Sequence, residues 1–286
     1  MLNKETRFHI VGLGLMGGSI AQGLKRCGCH VTAMDISEDS IQYALEQGWI
    51  DDGSTHDNDF LAESDFIISG LYPSILIEWI KRHKDDFTSG TIITDVTGVK
   101  SKLLMHIQNM LPAGIEFVGS HPMAGRETSG VRFSNPDLFL PANYIIVPTE
   151  KNSKEAVETV RAFAKLLKFH HIAELSIDEH DKMIGFLSQL THVIAVTLMN
   201  THDNTHLVEY TGDSFRDLTR IAKINEHLWT ELFLLNKENL LHEITAFQNE
   251  LDHFKEVLSQ EDTEEMKRLF VQSTKRRKYF DRKDTL

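Results

Sequence analysis

At 286 residues the chain is long enough for one large or two ordinary domains with a sizeable core. A formal net charge of −12 excludes a nucleic-acid or anionic-membrane surface as the main partner, yet leaves room for a small anionic ligand held by a few local arginines. The only cysteines, Cys27 and Cys29, are too few for a disulfide framework, so a reducing compartment is expected.

Residues 1–7 lack the long apolar core of a signal peptide, and no run reads as transmembrane, which gives the expectation of a cytoplasmic protein. Phe8-His9-Ile10-Val11 reads as a strand that runs into Gly12-Leu13-Gly14-Leu15-Met16-Gly17 and then a helical pattern. This is the dinucleotide fingerprint in its strand-to-helix context. Gly12 permits the tight turn, Gly14 the approach of a pyrophosphate, and Gly17 the packing of helix on strand. Leu15 and Met16 open the helix, whose N-terminal N–H groups suit phosphates. A second strand, 30–34, ends at Asp35, about 20 residues on, where the fingerprint places the acidic residue. A carboxylate there accepts hydrogen bonds from a ribose 2′-hydroxyl and repels a 2′-phosphate, so NAD is favoured over NADP.

Strands and helices then alternate. Helices are expected over 40–47, 75–83, 100–110 and 154–168, with strands at 65–71, 91–95, 115–118, 143–148 and 170–175. The fold class is a Rossmann-type α/β domain with a doubly wound parallel sheet. Two strands of that sheet end in polar, chemically capable residues: Thr94-Asp95, and Gly119-Ser120-His121-Pro122-Met123-Ala124-Gly125. Ligands in open α/β sheets sit just beyond such strand ends. His121 lies there, and a histidine takes or shares a proton near neutral pH. Beyond Ser176 the composition changes. Prolines cease after Pro148, and apolar spacing becomes helical nearly throughout, with Ile184, Leu187, Thr191, Ile194, Ala195 and Leu198 marking one face. The segment 223–258 is too apolar for an isolated arm, and a last helix is expected over 261–277. The domains expected are 1–175, which binds the dinucleotide, and 176–286, all-helical, whose spare apolar faces bury against a second copy to make a homodimer. His202 and His206 stand at metal-ligand spacing without a third ligand motif, so no metal is expected.

These motifs resemble the prephenate and arogenate dehydrogenases over nearly the whole chain. The resemblance rests on Gly12 through Ser19, Asp95…Val99-Lys100, Gly119 through Gly125, Glu127…Ser129-Gly130, Leu190…His192, Phe215-Arg216-Asp217…Thr219-Arg220-Ile221-Ala222 and Trp229. It implies oxidation of prephenate by NAD⁺ with loss of CO₂, giving 4-hydroxyphenylpyruvate in tyrosine biosynthesis. It also implies His121 as the base for the substrate hydroxyl, Arg220 as a carboxylate-binding residue, and His192 and Trp229 as residues beside the substrate. Glu127 matches an acidic residue that orders the entrance. Arg216, one helical turn before Arg220, is a candidate for the same face, with an ion pair to Asp213 or Asp217 as the alternative.

The sequence also departs from the family pattern. The family commonly has a serine that bonds the catalytic histidine, and here Gly98 takes its place. Thr97 is the candidate to supply that hydroxyl, with a water as the alternative. Arg126 replaces a small hydroxyl residue. Arogenate as substrate, or an NAD-binding relative with weakened catalysis, are the competing functions.

Overall fold

The residues that form β1 (Arg7–Val11) are buried after the first, and the chain turns from Val11 through Gly12 into α1 (Leu15–Arg26). Gly12 has φ +94°, a left-handed backbone that glycine adopts readily. The computed structural model describes residues 2–56, 59–125, 128–203 and 205–281. β2 (His30–Met34) and α2 (Glu38–Glu46) follow, the latter capped by Ser37, whose side chain accepts from the Ser40 N–H. Next come β3 (Asp52–Ser54), β4 (Phe66–Ser69), α3 (Pro73–His83), β5 (Ile92–Asp95), α4 (Leu104–Met110) and β6 (Glu116–Pro122). β7 (Asn143–Val147), α5 (Lys154–Leu166) and β8 (His171–Glu174) complete the sheet and its cover.

The sheet order is β3-β2-β1-β4-β5-β6-β7-β8, so the chain reverses its direction of growth beside β1. That reversal makes the crevice at the C-terminal ends of β1 and β4 the place for a ligand. Five strand pairs from β3 through β6 are parallel, as expected, but β7 runs antiparallel to β6. The sheet is therefore mostly parallel rather than wholly so. The reason is the connection 123–142, which carries short 3₁₀ turns among its described residues and no α-helical crossover of the kind a parallel return uses.

β6 changes neighbours along its length. Residues 116–118 pair with β5, whereas Gly119, Ser120, His121 and Pro122 pair with Val147, Ile146, Ile145 and Tyr144 of β7. β6 thus runs past the end of β5 and carries His121 with it. The sequence pattern ends the strand at Val118; pairing with β7 extends it.

The helical part begins at Ser176, which forms a capping box with Glu179 at the start of α6 (Ile177–Ile184). A π-helical turn, Gly185–Leu190, joins it to α7 (Thr191–Met199). The added residue of a π turn shifts the buried face. Ile184, Leu190 and Ala195 are buried, while Leu187 and Thr191 point outward, against the single apolar face expected. The whole segment Ile177–Met199 is long and apolar enough, by length and composition, to cross a membrane. The sequence reading does not register it as such because the buried polar residues His180, Asp181 and Gln189 interrupt its pattern. α8 (Asp213–Thr219), α9 (Glu226–Leu235), α10 (Lys237–Ser259) and α11 (Thr263–Arg277) follow.

Packing divides the chain into two compact units between Lys237 and Glu238. The composition change at 175/176 falls inside the first unit, because α6 and α9 are tied to the sheet side. Asp181 accepts from the Lys100 and Ser101 N–H groups at 2.9 and 2.8 Å, and Glu231 from the Ser74 N–H at 2.6 Å. In the second unit α10 and α11 form a hairpin. Phe254 meets Phe270 with ring centroids 6.3 Å apart, and Glu265 bonds both His253 and Arg268.

Candidate active site

The C-terminal ends of β1, β4, β5 and β6 open into a cleft of about 710 Å³ whose far wall is made by α6, α7 and α9. Gly14, Leu15 and Met16 line one end. A Cβ on Gly17 would stand 1.9 Å from the Gly12 carbonyl oxygen, so only glycine allows α1 to start this close to β1. Gly14 caps α1 without a side-chain hydrogen bond, and its own Cβ position has no heavy atom within 4 Å. First-turn N–H groups of a helix have no partner within it, and here they stand beside an open space. Asp35 braces the loop: its carboxylate accepts from the Leu13 N–H at 2.6 Å and the Ser37 N–H at 2.8 Å. A carboxylate has about four lone-pair sites, so it retains acceptor capacity for a ribose hydroxyl. These features fit a dinucleotide.

His121 is half-buried and lines the cleft. Its Nδ1 lies 3.0 Å from Nε2 of the buried His180, whose own Nδ1 is 2.7 Å from the Asp181 carboxylate. Burial first, then the neighbouring His180 and the Lys100 ammonium, hold the pKa of His121 well below 6.5. It is neutral at physiological pH and therefore able to accept a proton.

Behind His121 lies a buried charge network. Lys100 and Asp95 have fully buried side chains and are joined at 2.5 Å. Lys100 Nζ also donates to the Thr97 carbonyl and to Thr97 Oγ1, each at 2.9 Å. Asp95 accepts from the Ser120 N–H at 2.9 Å, which ties the end of β5 to β6 one residue before His121. Thr97 lines the cleft, but its hydroxyl is spent on the Asp95 carboxylate and the Val99 carbonyl. The expectation that Thr97 offers that hydroxyl to His121 is corrected on this ground. A Cβ on Gly98 would meet the Leu232 methyls at 3.5 and 3.6 Å and His121 Cε1 at 3.8 Å, ordinary contacts that leave room for a serine.

On the facing wall His192 Nδ1 donates to the Ser188 carbonyl at 2.8 Å, and its ring lies on Trp229 with centroids 3.6 Å apart. Both line the cleft, as does Arg220 in the short turn after α8. Gln189 fixes this wall. It donates to the Leu232 carbonyl at 3.0 Å and accepts from Asn236 at 2.8 Å. Arg216 is not brought to the cleft; it lies exposed with its guanidinium 3.3 Å from Asp213, the ion-pair alternative. Glu127 and Arg126 lie outside the described residues.

Sequence reasoning missed His180 and Asp181. The available signal was the Ser176…Glu179 box, which fixes the helix start and so places an adjacent His-Asp pair in its second turn.

Comparison with known proteins agrees with this geometry. A family model described as "Prephenate dehydrogenase, nucleotide-binding domain" matches residues 20–173, and one described as "Prephenate dehydrogenase, dimerization domain" matches 176–272. The prephenate dehydrogenase of Bacillus subtilis is 33% identical over 91% of this chain and 72% of its own length. That of Lactococcus lactis is 31% identical over 93% and 75%. The crystal structure of prephenate dehydrogenase from A. aeolicus in complex with hydroxyphenyl propionate and NAD+ superposes with a TM-score of 0.88 at 32% identity, covering 96% of this chain and 98% of that one. The two models together span most of the chain, and the chain belongs to the prephenate dehydrogenase family.

Proposed function

We propose that this protein oxidises prephenate with NAD⁺, releasing CO₂ and 4-hydroxyphenylpyruvate for tyrosine biosynthesis. The observation that carries the proposal is one cleft holding the glycine loop, a neutral His121 and Arg220. When bound, NAD supplies the acceptor for a hydride. The chain supplies the rest. His121 Nε2 takes the hydrogen bond of the 4-hydroxyl and holds its proton as that oxygen gains carbonyl character. Loss of the ring carboxylate as CO₂ aromatises the ring, and the proton returns to the oxygen as the phenol forms. His192 and Trp229 form the wall against which the ring rests. Asp35 selects NAD over NADP by repelling a 2′-phosphate. Residues 1–175 serve as the nucleotide-binding part and 176–286 as the substrate and dimerisation part.

Arg220 binds a substrate carboxylate, which favours a guanidinium because it forms paired, charge-assisted hydrogen bonds. NADH formation is measured with prephenate, with arogenate and NADP⁺ in parallel. Robust NADH with prephenate is expected, and Arg220→Gln is expected to raise the prephenate KM roughly tenfold to a hundredfold while the KM for NAD⁺ stays put. No product from prephenate despite NAD binding would sink the reading.

We also propose a homodimer in the cytoplasm. Phe186, Phe215, Leu218 and Leu234 of the helical part are large apolar side chains exposed in the single chain, and they fall within the residues that match the dimerization-domain model, which supports burial against a second copy. A monomer mass in sedimentation at micromolar concentration would overturn the dimer.

A further inference from the structure

The chain of hydrogen bonds that leaves His121 away from the cleft has a fixed direction. Asp181 is buried and its carboxylate accepts only: from the Lys100 and Ser101 N–H groups, and from His180 Nδ1. Hydrogen bonds from His180 and Ser101 outweigh its burial and hold its pKa below the usual carboxylate range. His180 Nδ1 must therefore carry a proton. Burial keeps His180 neutral, against the pull of Asp181, so its Nε2 carries a lone pair. Among the described residues the group at that nitrogen is His121 Nδ1, at 3.0 Å. It must be the donor, and the lone pair of neutral His121 then falls on Nε2, the nitrogen a substrate can reach.

We propose that His180 and Asp181 are positioning residues for the reaction: they lock His121 in the tautomer that presents a basic Nε2 to the substrate hydroxyl. The arrangement also accounts for charge. The Lys100 ammonium pairs with Asp95, while Asp181 takes the Lys100 backbone N–H and feels the ammonium only at longer range. When His121 takes the proton on Nε2, its Nδ1–H donates more strongly to His180, which in turn donates to Asp181. Burial, His180 and Lys100 all oppose the imidazolium so formed, which keeps His121 neutral at rest. In this chain the device stands where Gly98 provides no side-chain hydroxyl to orient the ring.

This inference rests on the proposed dehydrogenase function for its kinetic effect, but not for its spectroscopic one. Nitrogen NMR of the isotope-labelled, unaltered protein reads each histidine tautomer, with His121→Asn assigning the signal. At neutral pH His121 is expected to carry its proton on Nδ1, whether or not prephenate is turned over. A proton on Nε2 overturns the proposal. In kinetics, His180→Phe is expected to lower kcat roughly 10²-fold and to move the acid limb of the pH profile, with the prephenate KM nearly unchanged. His180→Gln keeps an acceptor for His121 and a donor for Asp181, and recovers much of the loss. A folded His180→Phe protein with the kcat and pH profile of the unaltered enzyme also overturns it. Should that variant not fold, the tautomer measurement decides alone.

Discussion

Replacing His121 with asparagine is expected to lower kcat by about 10²–10⁴-fold, the usual contribution of a positioned general base. Asparagine is small enough for the site and keeps a polar group near His180, so folding and NAD binding should survive. The pH profile sharpens the test. His121 works only when neutral, and burial together with His180 and Lys100 holds its pKa well below 6.5. kcat/KM in the unaltered protein should accordingly stay level as pH falls through 6.5 and decline only in more acidic solution. In His121→Asn that acid limb should vanish from the residual activity. Stopped-assay rates across pH check both points. A variant within threefold of the parent would remove His121 from the chemistry.

The second large effect concerns folding. Lys100→Met leaves the Asp95 carboxylate buried with its hydrogen bonds from Thr97 and Ser120 but without its cation. Removing one partner of a buried pair typically costs roughly 3–5 kcal/mol. Denaturant unfolding should show that loss as a lower midpoint with an unchanged slope. Pairing it with Asp95→Asn should restore part of the stability, because the loss comes mainly from the orphaned charge. Equal midpoints for Lys100→Met and the parent would show that Asp95 finds other compensation. Activity should fall as well, since Asp95 holds Ser120, the residue before His121.

What the sequence makes legible is what local chemistry dictates. Gly12 and Gly17 announce the turn into α1 because each meets a steric demand within a few residues, Gly14 leaves open space beside the turn, and Asp35 follows at the spacing one βαβ unit sets. His121, His192, Arg220 and Trp229 are legible as a set through the resemblance, and the fold gathers all four into one cleft. The rest depends on contacts distant in sequence. Nothing local tells that β7 pairs antiparallel to β6, or that this pairing carries the strand past Val118 to His121. Thr97 reads as a spare hydroxyl until Asp95 and Lys100 are seen to claim it. His180 and Asp181 read as ordinary helix residues because their partners lie 59 and 81 positions away. Arg216, placed near Arg220 by helical spacing, turns outward because α8 ends at Thr219 and the chain tightens into a 3₁₀ turn.

The π turn at Gly185–Leu190 has a consequence for what changes the chain can absorb. Along an α-helix each residue advances the side-chain direction by about 100°. The turn's extra residue therefore acts as an angular offset between α6, which holds His180 and Asp181, and α7, which holds His192. Substitutions there leave that phase alone. Deleting one residue would regularise the helix and rotate one end against the other, so the pair that holds the base and the histidine of the aromatic wall would no longer serve the same substrate. Length, more than identity, is what this stretch must conserve.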